Sequence, residues 1–408
     1  MINGQLSKMK KIIIVNNNMK VGGVQKSLYN LLWSVSDQYD ITLYLFSRTG
    51  KYVNQLPENV RVLSCTSLFR YLGKSQEECN RRISDRLIRG FLAVLCKILG
   101  RPFVIRIMSL SQKLVPEKYD IAISYLQNGR LHSLYGGVNE FVLNKITARE
   151  KIAFLNCDYC NCGADNILNN KLYYSFDKIA ACSDGCRRAF NKAIPMLKDK
   201  CVTVRNFHRH QIIKKMSLED PVVYEAGRFH VLVVGRLAHE KAIDRAIKAV
   251  RSGIANQLPI SLHIVGDGNM RKSLEELAVS LNVQNIVHFY GEQENPYRFM
   301  TNADLLLVTS YHEAAPMVID EARIIGIPVL TVETTSSEEM VVDNRCGWVC
   351  ENSQEGINEC MMKILSHTTL LEQMKASLKD GITDNREALR QFQAVIGEYD
   401  EDTGKTSR

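Results

Sequence analysis

The chain has 408 residues, 45% of them hydrophobic and 24% charged, which is an ordinary globular balance and enough length for two or three domains. The formal net charge of +8 indicates an acidic partner, but charge alone does not distinguish nucleic acid, nucleotide and anionic lipid. No apolar run reaches the roughly 18 residues of a membrane-spanning helix. The start of the chain has only the short apolar core IIIV, so we expect no secretory signal and a cytoplasmic location.

Short apolar strands alternate with helical patterns along the chain. The first half offers KKIIIVNNN, DITLYLF and EKIAFLN, and the second half offers HVLVVGRL, ISLHIVGDG and ADLLLVTS. Continuous apolar strands separated by helices predict parallel sheets that are covered on both faces. Two such series predict an α/β protein with two doubly wound, Rossmann-like domains. The predicted boundaries are a first domain over 1–210, a linker over 211–228, a second domain over 229–385 and a C-terminal helix and tail over 386–408.

The first motif, NNNMKVGGVQKSLYNLL, follows the first predicted strand. Gly22 and Gly23 allow a ligand to approach the backbone, and the following helix offers free N–H groups to an anion. The motif is neither G-x-G-x-x-G nor a Walker sequence. A flexible turn between a strand and a helix explains it equally well.

Residues 69–113 interrupt the first series with a helical, basic segment. It contains ten basic and three acidic residues, a net charge of +7. Apolar residues recur among these charges at helical spacing: Leu87, Ile88, Phe91, Leu92, Leu95, Ile98 and Leu99. Two interpretations remain open, namely ordinary helices with solvated basic faces or a surface that rests on the anionic inner face of the cytoplasmic membrane.

Five cysteines cluster after the middle strands of the first half: Cys157, Cys160, Cys162, Cys182 and Cys186. Structural zinc normally requires two regularly spaced pairs, and the spacing here is irregular. We therefore expect reduced thiols, and no metal or other cofactor.

The second motif, VVGRLAHEKAIDRAIKAV, carries two cations after a buried strand. Arg236 can make planar bidentate contacts with phosphate, and Lys241 supplies a mobile point charge at the start of a helix. Together they suit a diphosphate. A solvated basic turn is the alternative.

The third motif, SYHEAAPMVIDEA, sets two carboxylates eight positions apart. Pro316 fits the first turn of a helix, which places Glu313 in the preceding turn and Glu321 within the helix. A carboxylate can accept hydrogen bonds from a pair of hydroxyls such as a ribose diol. The backbone N–H groups of Met317 and Val318 can meet phosphate or sugar oxygens. Two surface acids on an amphipathic helix are the alternative.

The order of GRLAHEKAID, HIVGDG, FYGEQE, SYHEAAPMVIDEA and GIPVLT resembles the retaining family-four glycosyltransferases, also called glycosyl transferases group 1. A weaker likeness runs through GGVQKSL, AACSDGCRRAF and VRNF. The type resembled acts in bacterial surface polysaccharide biosynthesis. The resemblance implies the GT-B fold, in which two Rossmann-like domains face a central cleft.

The resemblance also implies a role for each candidate. Glu313 would contact the transferred sugar, Glu321 would hold the nucleotide ribose, and Arg236 with Lys241 would bind the donor diphosphate. The implied catalytic residues are Glu313, Arg236 and Lys241. The implied donor-binding residues are Gly22, Gly23, Arg236, Lys241, Gly291, Glu292, Glu294, Glu313, Met317, Val318 and Glu321, with the segment from Gly291 to Glu294 meeting the base through its backbone.

Three positions depart from the resembled pattern. Asn156 stands where many relatives have a histidine facing the reacting sugar, and an amide can hydrogen-bond a sugar hydroxyl but cannot carry a charge. Ala242 stands where relatives often have glycine, and TTSS at 334–337 replaces a commoner glycine-rich loop.

The function implied is transfer of a sugar from a nucleotide-diphosphate sugar, expected to be a UDP-sugar, to an acceptor hydroxyl with retention of configuration and without a metal. The expected acceptor is a lipid-linked or polysaccharide precursor glycan. Three alternatives stay open: a nucleotide-sugar 2-epimerase, a non-catalytic sugar-nucleotide-binding protein of the same fold, and a nucleic-acid binder. No recognised nucleic-acid-binding module supports the last, so we expect no nucleic-acid partner.

Overall fold

The computed structural model describes residues 9–379, 384–400 and 405–406. The chain divides into two compact units. The first ends at Phe207 and resumes at Arg386, and the second runs from His208 to Asn385.

The first unit is built on a seven-stranded parallel sheet. Its strands are β1 (Lys11–Asn16), β2 (Asp40–Leu45), β3 (Arg61–Ser64), β4 (Lys118–Ser124), β5 (Thr147–Leu155), β6 (Lys178–Ala181) and β7 (Cys201–Thr203), in the order β3-β2-β1-β4-β5-β6-β7. Its helices are α1 (Gly23–Val35), α2 (Arg70–Gly73), α3 (Gln76–Asn80), α4 (Ile83–Leu99), α5 (Arg101–Leu110), α6 (Val138–Lys145), α7 (Ile167–Tyr173) and α8 (Asp184–Ala193). In β1, every residue after Lys11 is buried, as expected of a central strand covered on both faces.

The second unit is built on a six-stranded parallel sheet. Its helices are α9 (His210–Ser217), α10 (Ile243–Ala255), α11 (Arg271–Ser280), α12 (Tyr297–Met300), α13 (Met317–Ile325), α14 (Gln354–Ser366) and α15 (Thr368–Lys379). Its strands are β8 (Phe229–Val234), β9 (Ile260–Val265), β10 (Val287–Gly291), β11 (Leu305–Val308), β12 (Val329–Val332) and β13 (Gly347–Cys350), in the order β10-β9-β8-β11-β12-β13. The predicted α/β class with two doubly wound domains is confirmed.

The chain then returns to the first unit through α16 (Arg386–Val395). Phe392 of this helix is fully buried in the core of the first unit together with Tyr39 and Phe207. A short antiparallel pair joins Tyr399–Asp400 to Lys405–Thr406. Residues 401–404 and 407–408 of the predicted tail lie outside the described residues.

The predicted linker over 211–228 differs from the structure at its start. Helix α9 occupies His210–Ser217, and Ile213 is buried in the second unit's core beside Leu232 and Phe299. The division between the units falls at Phe207 rather than at residue 210. A helix of two turns with one fully buried apolar side chain gives too little periodicity to be visible in the sequence.

Each sheet changes its winding direction at one strand pair, and the candidate loops follow these strands. In the first unit β1 lies between β2 and β4, and in the second unit β8 lies between β9 and β11. Ligands of open parallel sheets bind outside the carboxyl ends of the strands at such a switch point. The two crevices of interest therefore begin after β1 and β4, and after β8 and β11.

None of the described helices is both long enough and apolar enough to cross a bilayer. All twelve cysteines are free thiols. Among the described residues, no three histidine, cysteine or acidic side chains are grouped so that they could hold a metal ion.

Candidate active site

The centre of the candidate site in the second unit is an ion pair between two predicted residues. Lys241, in the loop after β8, donates from Nζ to Oε1 of Glu313 at 2.5 Å. Ser310 donates to the same carboxylate oxygen at 2.6 Å. Glu313 is the better shielded partner, because its side chain is 11% exposed and that of Lys241 is 30% exposed. The loops that follow the two neighbouring strands β8 and β11 are thus joined by their charged side chains.

Backbone acceptors fix the position of Lys241 further. The Thr309 hydroxyl donates to the carbonyl oxygens of Lys241 and Ala242, at 3.1 and 2.9 Å. Ala242 has a φ of +47°, a left-handed conformation that L residues adopt at a cost of about 1–2 kcal/mol relative to glycine. The turn at Ala242 places the lysine two residues before the start of α10. The glycine of the resembled family would make the same turn without strain.

Arg236 is linked to this cluster through Glu240, a residue that no sequence motif pointed to. Its guanidinium donates from Nη2 to Glu240 at 2.7 Å, and the Glu240 carbonyl accepts from the backbone N–H of Tyr311 at 3.0 Å. Burial raises the pKa of Glu240, but its own backbone hydrogen bond and the charges of Arg236 and Lys241 outweigh burial and leave that pKa below its usual value. The Arg236 side chain is 71% exposed, so this ion pair adds little stability and leaves the guanidinium accessible to an anion.

A buried cation, Arg245, contacts the loop after β11 and Asn352 after β13, and no sequence motif pointed to it. Nη1 of Arg245 donates to the Thr309 carbonyl at 3.1 Å and to Oδ1 of Asn352 at 2.7 Å. The guanidinium carbon lies 5.4 Å from the centre of the Tyr311 ring. Arg245 lies two positions after Ile243 on the apolar side of α10, and a charged residue within an amphipathic pattern gave the only available signal.

Helix α13 carries the remaining predicted residues of the third motif. Pro316 is the residue just before the helix rather than within its first turn, so Met317 and Val318 are the first two helical residues. Their N–H groups belong to the set that a helix cannot pair internally. Glu321 is 3% exposed, which places its carboxylate inside the unit rather than on its surface. The alternative of two surface acids is therefore wrong for Glu321.

The segment that begins at Gly291 follows β10, which β9 separates from β8 in the sheet. Gly291 ends β10 with a φ of +70°, and its carbonyl accepts from the N–H of Gly266 at 2.8 Å. A Cβ on Gly266 would lie 1.9 Å from the Gly235 oxygen, so the loops after β9 and β8 are in close contact. Glu292 and Glu294 follow in the loop after β10. In the sheet order, two strands, β9 and β8, therefore lie between the end of β10 at Gly291 and the end of β11 that precedes Glu313.

The TTSS segment at 334–337 forms a compact turn before a π-helical stretch at Glu338–Val342. The Ser337 hydroxyl accepts from the N–H of Thr334 at 2.9 Å, and Ser336 and Ser337 are buried. Hydroxyl groups thus close a turn that glycine would make through backbone freedom alone.

In the first unit, Gly22 and Gly23 stand at the start of α1. Gly22 has an extended backbone, and a Cβ on Gly23 would meet nothing within 4 Å. The backbone of this unit does not itself require glycine at 23. The loop before it is anchored, because Asn18 donates to the Gly73 carbonyl at 2.8 Å and Lys20 pairs with Glu78 at 2.5 Å.

Asn156 follows β5 and is held by the end of β4. Its amide nitrogen donates to the Tyr125 carbonyl at 3.0 Å, and its backbone N–H donates to the Gln127 side chain at 3.2 Å. The Tyr125 hydroxyl contacts Ser27 of α1 at 2.8 Å. The side-chain oxygen of Asn156 is the group through which this position can accept a hydrogen bond from a hydroxyl.

Comparison with solved structures identifies the class of fold. Anabaena HepE, solved in complex with UDP and glucose, superposes with a TM-score of 0.65 at 17% identity, over 95% of this chain and 99% of that one. The structure of WaaG superposes with a TM-score of 0.61 at 19% identity, over 95% and 100%. At these identities the likeness establishes the fold alone. The fold is GT-B, as the resemblance implied.

Residues 220–380 match the family model of the glycosyl transferases group 1. The likeness to that family covers this segment of the second unit, which is less than half of the chain. The lipopolysaccharide glucosyltransferase WaaG of Escherichia coli (strain K12) is 37% identical over 148 residues, which make up 34% of this chain and 38% of WaaG. The N-acetyl-alpha-D-glucosaminyl L-malate synthase of Bacillus anthracis is 22% identical over 228 residues, 54% of this chain and 59% of that enzyme. The chain thus matches less than two thirds of the length of these relatives.

Proposed function

We propose that this protein transfers a sugar from a nucleotide-diphosphate sugar to an acceptor hydroxyl with retention of configuration. The observation that carries the proposal is the contact between Lys241 and Glu313 at the carboxyl ends of β8 and β11. It sets a cation for a diphosphate against a carboxylate for sugar hydroxyls at the strand pair where such folds bind ligands. UDP is the proposed nucleotide, because HepE of the same fold was solved with UDP and with UDP-glucose.

In the proposed reaction, the bond between the anomeric carbon and the donor phosphate oxygen breaks, and a bond from that carbon to the acceptor oxygen forms on the same face. The acceptor proton passes to the departing phosphate oxygen, and the products are the glycoside and the nucleoside diphosphate. Arg236 and Lys241 stabilise the negative charge that develops on the leaving group. The Lys241 ammonium has three donors, so it can keep Glu313 as a partner while it binds phosphate.

Glu313 is proposed to hold sugar hydroxyls rather than to accept the proton. Glu321 is proposed to hold the ribose, Met317 and Val318 to bind phosphate or sugar oxygens through their N–H groups, and the segment from Gly291 to Glu294 to contact the base. In the first unit, Gly22 and Gly23 are proposed to bind the donor phosphates, and Asn156 to bind a sugar or acceptor hydroxyl.

The proposed acceptor is a lipid-linked or polysaccharide precursor glycan, and the proposed place of reaction is the inner face of the cytoplasmic membrane. The names of two relatives support the proposed kind of acceptor: the lipopolysaccharide glucosyltransferase WaaG and the lipopolysaccharide core biosynthesis glycosyltransferase LpsE of Rhizobium meliloti. The latter is 28% identical over 142 residues.

The test is a donor screen followed by a transfer assay. Radiolabelled UDP-sugars are incubated with the purified chain and a lipid extract, and label is followed in glycolipid, free sugar and unreacted donor. Transfer with retained anomeric configuration by NMR supports the proposal. Release of an epimerised free sugar indicates a 2-epimerase, and donor binding without turnover indicates a non-catalytic protein.

We also propose that the transfer needs no metal, because two cations replace it at the diphosphate. Activity is therefore expected to survive EDTA unchanged. The measurement is the initial rate of donor consumption with EDTA, and with magnesium or manganese restored. Loss of activity with EDTA and recovery with either metal would overturn this part of the mechanism.

A further inference from the structure

Large apolar side chains are concentrated on one part of the surface of the first unit. Of the 24 large hydrophobic residues that are exposed among the described residues, nine lie between positions 83 and 114. They are Ile83, Leu87, Phe91, Val94, Ile98, Leu99, Phe103, Leu110 and Leu114, with exposed fractions from 45% to 86%. A concentrated apolar surface of this kind marks an interaction site.

These side chains form a continuous stripe on α4 because of their spacing. Ile83, Leu87, Phe91, Val94 and Ile98 follow one another at intervals of four, four, three and four residues, which places them on one side of an α-helix. The buried residues of α4 are Asp85, Leu92 and Cys96, which lie on the opposite side. The helix therefore packs on the unit through one face and presents a second apolar face to the surroundings.

Helix α5 and the residues after it add further exposed apolar side chains. It follows α4 after Gly100, whose φ of +80° makes the sharp turn between them. Phe103 and Leu110 are seven residues apart and exposed, and Leu114 follows four residues later. Val104, Ile105 and Met108 anchor the other face of α5 in the unit. We call the exposed residues of 81–114 the docking face.

The charges of the docking face are all of one sign. Its exposed ionisable residues are Arg81, Arg82, Arg86, Lys97, Arg106 and Lys113. The one acid between positions 81 and 114 is Asp85, which is buried and accepts from the Tyr71 hydroxyl at 2.7 Å and from Lys74 at 2.8 Å. No exposed acid therefore offsets the six cations.

The combination of charge and apolar side chains selects one partner. A second copy of this chain would cover the apolar stripe but would set six cations against six, so charge disfavours self-association. Nucleic acid would meet the cations but not the aliphatic side chains. An anionic bilayer satisfies both, since headgroups meet the cations and the acyl boundary receives the apolar side chains.

We propose that the docking face binds an anionic lipid bilayer, with α4 lying in the plane of the interface and its stripe entering the headgroup region. None of its residues is among the proposed donor-binding residues. Failure of lipid binding would therefore remove the proposed place of reaction at the membrane but would leave the transfer chemistry standing, and failure of transfer would leave this proposal untouched.

Not every residue of the basic amphipathic segment is exposed on the docking face. Leu92 is 3% exposed and packs inside the unit, and Arg89 donates to the Lys74 carbonyl and to the side chain of Gln76. Neither belongs to the docking face, although both lie in the basic amphipathic pattern of the sequence. The exposed residues Arg82, Arg86 and Lys97 are the appropriate charge set, and Leu87, Phe91 and Ile98 are the appropriate apolar set.

The experiment is co-sedimentation of the full chain with phosphatidylcholine vesicles and with vesicles that also contain phosphatidylglycerol, at low and high salt. Binding is expected only to the anionic vesicles and is expected to weaken as salt rises. The variant R82E/R86E/K97E should lose more than tenfold in partitioning, because each cation near an anionic surface contributes roughly fivefold. The variant L87S/F91S/I98S should lose a comparable factor while keeping its salt dependence.

Matched controls alter equally exposed residues elsewhere. R149E/K272E reverses charges on side chains that are 85% and 89% exposed, and M196S/V279S removes apolar side chains that are 81% and 58% exposed. Both controls should bind vesicles as the parent chain does. Circular dichroism and urea unfolding confirm that each variant is folded.

Three outcomes would overturn the proposal. The first is equal partitioning to neutral and anionic vesicles, and the second is no partitioning to either. The third is a loss of vesicle binding in the control variants that equals the loss in the docking-face variants. A dimer that forms without lipid and dissociates in L87S/F91S/I98S, seen by size-exclusion chromatography with light scattering, would assign the face to self-association instead.

Discussion

In the second unit, charged side chains cross-link the loops after β8 and β11, whereas in the first unit neutral amides connect the ends of β4 and β5. Lys241, Glu313, Arg236 and Glu240 join the loops after β8 and β11. In the first unit, Asn156 and Gln127 connect the ends of β5 and β4. Charges suit a ligand of fixed charge such as a diphosphate, and amides suit hydroxyl groups, which both donate and accept. The difference is the basis on which we propose that the charged loops of the second unit bind the donor diphosphate and that Asn156 of the first unit meets a sugar or acceptor hydroxyl.

The largest expected effect comes from removing a cation of the second unit. Lys241→Ala or Arg236→Ala should reduce turnover by roughly 10²–10³, because each removes a donor to the developing charge of the leaving group. Lys241→Arg should restore only part of the activity, since the guanidinium differs in reach and geometry. The measurement is kcat for donor consumption, with Lys272→Ala on the exposed face of α11 as the control.

Near-normal turnover in either alanine variant would contradict the proposal that the charged loops of the second unit bind the donor diphosphate. The fold should be intact in both, because the side chains of Arg236 and Lys241 are 71% and 30% exposed. A combined Lys241→Ala and Glu313→Gln variant should lose less than the sum of the single losses, since the two residues share a contact.

The first unit does contain one buried cation, and its removal should affect stability rather than donor chemistry. Arg101 is fully buried and donates to the carbonyls of Gly129 and Arg130 at 3.0 and 3.2 Å. Its Nε lies 3.9 Å from the Glu140 carboxylate. Arg101→Met should lower the free energy of unfolding by about 2–3 kcal/mol, because these buried acceptors lose their donor.

The measurement for Arg101→Met is urea unfolding. The midpoint concentration of urea should fall, and the slope of the free energy of unfolding against urea concentration should not change. Arg149→Met, at a side chain that is 85% exposed, is the control and should change little. A midpoint equal to that of the parent chain would show that the acceptors find other donors.

Acid should destabilise the second unit before the first. Eight of the nine histidines lie between residues 208 and 385. His230, His263 and His288 stand side by side on β8, β9 and β10, with His263 bonded to His230 at 3.0 Å and to the Tyr290 hydroxyl at 2.9 Å. Burial, and then the positive fields of His288 and His230, lower the pKa of His263 to about 3.

The sign of the pH effect follows from this lowered pKa. Above about pH 6.5, His263 is neutral in the folded and unfolded chain, and its full contribution to stability is present. Below that pH the unfolded chain binds a proton that the folded chain does not, so stability falls as pH falls towards 3. Hydrogen exchange by mass spectrometry from pH 7 to 4 should show earlier loss of protection in β8–β10 than in β1–β5. His263→Gln should reduce that difference, and equal loss in both sheets would contradict it.

The smallest expected effect concerns Gly23, and it separates the two interpretations of the glycine pair. Gly23→Ala should raise the free energy of unfolding by about 0.4–1 kcal/mol, because a Cβ there meets nothing and the unfolded chain loses freedom. If a donor phosphate approaches this backbone, the same variant should raise KM for the donor. A more stable variant with an unchanged KM would show that Gly23 belongs only to a turn.

The sequence alone determined the two parallel sheets and the positions of the charged motifs. Continuous apolar strands can be buried only between two layers, and residues that follow such strands must lie at a sheet edge. Lys241 and Glu313 could therefore be proposed together, although they are 72 positions apart. The basic amphipathic pattern of residues 69–113 was visible for a different reason, because helical spacing is a local property of the sequence.

Only the tertiary structure shows the features that depend on packing between segments that are distant in the sequence. It shows that Arg245 contacts the loop after β11, that α9 belongs to the second unit and that α16 completes the core of the first. It also decided which side of α4 is exposed, because Leu92 and Phe91 are neighbours in the sequence and opposite in environment. Helical spacing defines an apolar stripe, but only the neighbouring elements determine whether that stripe is covered.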